Sequence, residues 1–245
     1  MINQATISKR SFPGLTEVAP NIYRVPLLHT SAFMVLEDEV TIIDAGWRGS
    51  ARRVLDSLAA LDRSPEEVSY IVSTHYHLDH TGGIAQLSKS CPGKVAAHEA
   101  DIPLIHSTEQ RRLPNPARHP ALALLIKPAV TWLKPDQFSV DIQLQHGSRL
   151  GALGGMVVVH TPGHTPGSIS LHFPREGVLM VGDAMTYRWG KLGLPSRWFT
   201  ADMDQARESI RRLAQLDFEV LCFSHFPTIK RGAARLLRKF AESLE

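Results

Sequence analysis

The eight residues Ser73-Thr74-His75-Tyr76-His77-Leu78-Asp79-His80 constrain this chain more than any other stretch. They bring three imidazoles and a carboxylate together after the apolar run VSYIV, and Gly82-Gly83 follows them. In extended backbone, side chains at i and i+2 point the same way, so His75 and His77 can reach one metal ion. A turn after them aims Asp79 and His80 at a second, neighbouring position. Without a metal, burial would stack three imidazoles and a carboxylate with no counter-partner, at a high desolvation cost. A surface cluster is the remaining alternative, after a strand as apolar as SYIVST. Nitrogen and carboxylate donors of this kind suit zinc, and also iron or manganese.

The fold must therefore deliver a strand end to His75, and the surrounding pattern does so. NIYRVPLL, SAFMVLED and VTIIDAG read as successive strands with tight turns. ARRVLDSLAALD then repeats Val54, Leu55, Leu58 and Leu61 at helical spacing, with Ser50 as the expected N-cap. Ser64-Pro65-Glu66-Glu67 reads either as a helix start or as a turn before VSYIVST. Past Gly83 a short helix is expected, and KVAAH at 94–98 is a strand. The stretch 101–135 carries prolines, basic residues and the apolar ALALLIKPAVTWL. It is expected to be a helical insertion packing on the core, the alternative being a lid over the site.

The second half repeats the pattern with strands in GGMVVVH, SISLHF and GVLMVGD. The helix DMDQARESIRRLAQL follows, with Ile210, Leu213 and Leu216 on one face, then the strand EVLCFSH and a basic closing helix. Two strand-rich halves, each finished by helices, predict two packed sheets with helices outside, in a single domain spanning 1–245. Composition narrows the class. With 43% hydrophobic and 21% charged residues and a net charge of +3, the chain is an ordinary globular protein, too mildly basic for a nucleic-acid binder. No stretch reaches the roughly 20 apolar residues of a membrane span. Cys91 and Cys222 cannot build a disulfide framework. With no apolar run of signal-peptide length at the N-terminus, a cytoplasmic location is expected.

THYHLDHTGG resembles the HxHxDH motif of the metallo-β-lactamase superfamily, and other segments resemble its remaining pieces in order. VTIIDAG is similar to the early strand whose Asp, here Asp44, supports the metal site. HTPGHTPGS is similar to the turn that supplies His164. VGDA is similar to the strand end whose Asp, here Asp183, bridges two metals. Ser224-His225-Phe226 stands where the family usually has GHG, which makes His225 the last ligand while Ser224 and Phe226 depart from the pattern. The resemblance implies an αββα sandwich of two mixed β-sheets with helices on the outer faces. It also implies two divalent ions, zinc first and iron or manganese as alternatives. His75, His77 and His164 would hold one ion, Asp79, His80 and His225 the other, and Asp183 both.

The implied chemistry is hydrolysis of a small-molecule carboxylic ester, lactone or thioester by a hydroxide shared between the ions. Asp79 could pass a proton to the leaving group. Tyr187, four residues after Asp183, could hydrogen-bond an oxyanion, as a Tyr three residues after that Asp does in related lactonases, or simply pack at the rim. Asp183 argues against a true β-lactamase. Glyoxalase II shares the ligand set but carries a helical C-terminal region, for which 20 residues after His225 leave no room. A persulfide dioxygenase-like enzyme with one iron is the alternative. A nuclease would need a gripping arm or second catalytic domain that is not seen, and Lys230, Arg231, Arg235, Arg238 and Lys239 read as a solvated helix face. Intact ligands speak against a non-catalytic binding module.

Overall fold

A computed structural model describes residues 13–107, 120–121, 124–125 and 136–244. The first sheet has seven strands in sequential order: β1 (Thr16–Ala19), β2 (Ile22–Pro26), β3 (Ser31–Leu36), β4 (Val40–Ile43), β5 (Val68–Val72), β6 (Lys94–His98) and β7 (Ile142–Leu144). Pairing is antiparallel from β1 to β4 and parallel from β4 to β7. The second sheet contains β8 (Arg149–Leu150), β9 (Met156–His160), β10 (Ile169–Phe173) and β11 (Val178–Met180). Its last strand pairs parallel to β11 and is numbered β14 (Val220–Cys222), after the separate hairpin of β12 (Thr186–Arg188) and β13 (Lys191–Gly193).

The two faces of each sheet bury different neighbours, which is why the central strands carry apolar residues on both faces. In β3 and β4, Phe33, Val35 and Ile43 face the second sheet and pack with Val158, Leu171, Phe173 and Met180. Their neighbours Met34 and Ile42 turn the other way, onto the helices α1 (Ala51–Ala60) and α3 (Ile84–Ser90), against Val54, Leu58, Ile84 and Leu87. On the far side Leu179, Val181 and Leu221 pack on α5 (Met203–Leu213) and α6 (Ala233–Glu242) through Ile210, Leu213 and Leu237. The result is an αββα sandwich. Each large side chain buried in these three cores contributes about 1.5–3 kcal/mol, so the layers are held by the alternation itself.

Two short helices complete the first half, α2 (Leu78–Thr81) and α4 (Ile102–His106). Of the stretch 101–135, only α4, its flanks and four residues at 120–121 and 124–125 are described, so the expected helical insertion or lid lies largely outside the described residues. Pro65–Glu67 is a single 3₁₀ turn, which resolves the alternative at Ser64 in favour of a turn. Helix α5 stops at Leu213, earlier than DMDQARESIRRLAQL suggested, and Leu216 packs on the same core from beyond its end. Among the described residues no helix is long and apolar enough to cross a membrane.

The two capping sites differ in kind. Asp202 accepts hydrogen bonds from the backbone N–H groups of Asp204 (2.9 Å) and Gln205 (3.0 Å), satisfying two otherwise orphaned donors of α5. Ser50, the expected cap of α1, has helical backbone angles and makes no side-chain cap bond. Urea unfolding should therefore show Asp202→Ala losing about 1 kcal/mol, with Ser50→Ala within about 0.5 kcal/mol of the parent. Equal losses at the two positions would contradict this assignment.

Candidate metal centre

The chain leaves five strands at one edge of the sandwich and places a polar side chain just beyond each: Asp44 after β4, His75 after β5, His164 after β9, Asp183 after β11 and His225 after β14. The sheets touch there, the Ile169 N–H donating to the Thr74 carbonyl at 2.9 Å. Placing functional groups beyond the carboxyl ends of strands lets a rigid scaffold aim them.

Seven side chains meet in this corner. His77 precedes the single turn of α2, with Asp79 and His80 on it. His77 Nδ1 lies 3.1 Å from His75 Nε2 and 3.0 Å from His164 Nε2. His80 Nε2 lies 3.3 Å from His225 Nε2 and 3.8 Å from Asp79 Oδ2. Asp183 spans the two groups, with Oδ1 3.5 Å from His80 Nε2 and Oδ2 3.6 Å from His164 and 3.2 Å from His225. Three sets could each hold a metal ion: His75, His77 and His164; His75, His80 and Asp183; Asp79, His80 and His225. The fit is good in both size and chemistry. Nitrogens bound tetrahedrally at about 2.0–2.1 Å lie about 3.3 Å apart, close to the observed separations. Asp183 Oδ1 is buried and has no hydrogen-bond partner among the described residues, as expected of an oxygen meant for an ion.

Surrounding oxygens set the imidazole tautomers. Asp44 Oδ2 accepts from His80 Nδ1 at 2.8 Å, and the His29 carbonyl accepts from His225 Nδ1. Both acceptors lack a proton, so both histidines hold a proton on Nδ1 and turn Nε2 inward. Asp44 also accepts from the Thr74 N–H and hydroxyl, each at 2.8 Å, which leaves the hydroxyl oxygen facing His75 Nδ1 at 3.2 Å. Thr200 Oγ1 faces His164 Nδ1 at 3.2 Å. Asp44 has a positive φ of 59°, a conformation that Asp tolerates better than most residues. Glycine is required at Gly163, φ 132°, where a Cβ would stand 2.3 Å from the Ala206 backbone N, so the start of α5 can approach the His164 turn.

Phe226 and Ser224 do not push His225 out of the cluster. Ser224 is buried, and Phe226 packs between Phe223 and His225, ring centroids 6.2 and 6.4 Å away, with the Arg188 guanidinium 5.2 Å above its ring. Tyr187 stacks on Phe223, ring centroids 5.8 Å apart and planes within 8°, which gives its ring a packing role in the β12–β13 hairpin. Thr74, Thr200, the His29 carbonyl and Asp101 were not singled out from the sequence. The Asp44–Thr74 pairing joins two strand ends far apart in the chain, and a backbone carbonyl such as that of His29 leaves no mark in residue type.

The model of the Metallo-beta-lactamase superfamily matches residues 25–225. A probable metallo-hydrolase of Bacillus subtilis, YflN, is 28% identical over 223 residues, 86% of this chain and 82% of that protein. A hydroxyacylglutathione hydrolase of Cereibacter sphaeroides is 27% identical over 209 residues, 82% of this chain and 64% of its own length. Among solved structures, BJP-1, a subclass B3 metallo-β-lactamase of Bradyrhizobium japonicum, superposes with a TM-score of 0.65 at 20% identity, covering 94% of this chain and 90% of that one. That last likeness is one of fold.

Charge divides the cluster in two. Burial holds His75 well below its ordinary value, lowers His77 to about 3 and also lowers His164, so these three rings are neutral at pH 7. Burial pushes His80 and His225 the same way, but carboxylates outweigh it: Asp44, Asp183 and Asp79 lift His80 to about 9, and Asp183 and Asp79 lift His225 to about 11. Burial raises Asp79, yet His80 and His225 bring it down to about 2. In metal-free protein the paired histidines stabilise the fold fully below about pH 6.5, and that contribution goes as pH rises through about 9 for His80 and about 11 for His225. Chelator-stripped protein should thus melt at progressively lower temperature above pH 7. Asp44→Asn should lose about 3 kcal/mol or more at neutral pH, and its decline should be shallower because His80 has lost its largest carboxylate partner. An unchanged alkaline profile in the variant would rule out the Asp44–His80 pair as its source.

Proposed function

The chain belongs to the metallo-β-lactamase superfamily, and we propose that it hydrolyses a small-molecule carboxylic ester, lactone or thioester at a site holding two divalent metal ions. The supporting observation is the convergence of seven imidazole and carboxylate side chains in one corner, among them Asp183, whose buried Oδ1 has no hydrogen-bond partner among the described residues. His75, His77 and His164 would hold one ion, Asp79, His80 and His225 the other, and Asp183 both. Zinc suits this sulfur-free donor set, and iron and manganese accept the same groups. Ions bound there would lower the pKa of a bound water and polarise a substrate carbonyl.

The chain's own groups would do the rest. Asp44, the His29 carbonyl, Thr74 and Thr200 keep four imidazoles oriented, so little reorganisation accompanies the reaction. Asp79 is partly exposed beside His225, at 3.3 Å, and is ionised at neutral pH, so it can accept a proton and hand it to the departing oxygen or sulfur. Tyr187, packed on Phe223 in the hairpin that follows Asp183, would offer its hydroxyl to the carbonyl oxygen as charge develops there. The name of the hydroxyacylglutathione hydrolase supports acyl transfer to water as the reaction class.

Elemental analysis of protein purified without added metal should find about two zinc, iron or manganese ions per chain. A panel of lactones, esters and thioesters should then reveal turnover. Asp183→Ala should lower kcat at least ~100-fold while the circular dichroism spectrum is retained. Full activity with normal metal content in that variant would remove Asp183 from its bridging role. Tyr187→Phe should lower kcat with KM unchanged; an unchanged kcat would leave its ring only the packing role. One iron per chain with no hydrolysis would favour an oxygen-using enzyme instead.

A further inference from the structure

We propose that Asp101 is a positioning residue that sets the spacing of the group His75, His77 and His164, an inference that rests on assigning those histidines to a metal ion. Asp101 closes the 3₁₀ turn after β6 and is buried. Its Oδ2 accepts from the Tyr76 backbone N–H at 2.9 Å and from the Thr165 hydroxyl at 2.8 Å, and its Oδ1 accepts from the Gly167 N–H at 2.6 Å. Tyr76 lies between His75 and His77, and Thr165 directly follows His164. One carboxylate thus grips the residue next to each of the two histidines whose nitrogens stand 3.0 Å apart. Those histidines follow β5 and β9, which belong to different sheets. Asp101 is a strut across the junction.

The chemistry of the strut is specific. All three partners are donors, so only an ionised carboxylate can accept from all of them, and an amide would turn an N–H toward one. The donors are themselves ordered: Ser168 Oγ accepts from the Thr165 N–H at 3.0 Å, and its own hydroxyl meets Thr165 Oγ1 at 2.8 Å. Gly167 makes room, because a Cβ there would lie 2.5 Å from the Asp101 N and 2.6 Å from its Cγ. The other group, Asp79, His80 and His225, is held instead through Asp44 and the His29 carbonyl. Loss of Asp101 should therefore be felt at one metal position and not at both.

Titration of the metal-free full chain with Co²⁺, read by visible absorption and by calorimetry, separates these possibilities. In Asp101→Asn, which keeps the side-chain shape, one metal equivalent should weaken by about 10- to 100-fold, the size of effect usual for a group that orients a ligand. Its absorption bands should shift while the other equivalent keeps its affinity and spectrum. Thr165→Val removes one of the three bonds and should change the same equivalent in the same direction, by less. If Asp101→Asn does not fold, Thr165→Val carries the test, and its failure to weaken one equivalent selectively overturns the proposal. Wild-type binding in Asp101→Asn, or equal weakening of both equivalents alongside a lower urea midpoint, also overturns it. If the wild-type chain binds no cobalt, the ligand assignment itself falls and this inference goes with it.

Discussion

Five imidazoles and two carboxylates are pressed into one corner of this molecule, and the rest of the structure is arranged around the cost of keeping them there. Burial alone would disfavour every charged form among them. The cost is offset in two ways. His80 and His225 pair with Asp79 and Asp183, while His75, His77 and His164 stay neutral with ring nitrogens facing one another. Three neutral ring nitrogens crowded about 3 Å apart can share few hydrogen bonds among themselves, and their free lone pairs suit a cation.

That corner can exist only because two sheets end at the same place. The inter-sheet core of Phe33, Val35, Ile43, Val158, Leu171, Phe173 and Met180 locks the sheets face to face, and the outer helices seal the remaining apolar faces. Rigid layers then bring the strand ends into register, and short polar struts finish the alignment. Asp44 ties the end of β4 to Thr74 and His80, and Asp101 ties the turn after β6 to the turns after β5 and β9. Stability and function are coupled here, since each strut also satisfies buried donors that would otherwise be orphaned.

Much of this was legible in the residues. The long apolar strands announced themselves because both their faces are buried, as VTII in β4 illustrates. Thr16–Ala19, Ile142–Leu144, Arg149–Leu150 and the Thr186–Gly193 hairpin were not anticipated, because each strand is four residues or fewer and most are partly exposed, too short for periodicity to register. Ser50 shows the limit of cap signals: the residue type is right, but its backbone is already helical and the side chain makes no cap bond. Asp202, with an equally ordinary sequence context, caps fully.

What the sequence determined by itself is the chemistry of the corner. The i, i+2 spacing of His75 and His77 on extended backbone and the turn carrying Asp79 and His80 are local, and local geometry follows from local sequence. Tertiary structure alone decided which nitrogen each imidazole turns inward, since the acceptors that hold the Nδ1 protons, Asp44 for His80 and the His29 carbonyl for His225, lie 36 and 196 residues away along the chain. It also decided that Asp101 reaches the turns that carry His77 and His164, and that Phe226 packs on Phe223 and edge-on to His225 without displacing it. Contacts of that kind depend on how two sheets pack, and packing is a property of the whole core that no single motif encodes.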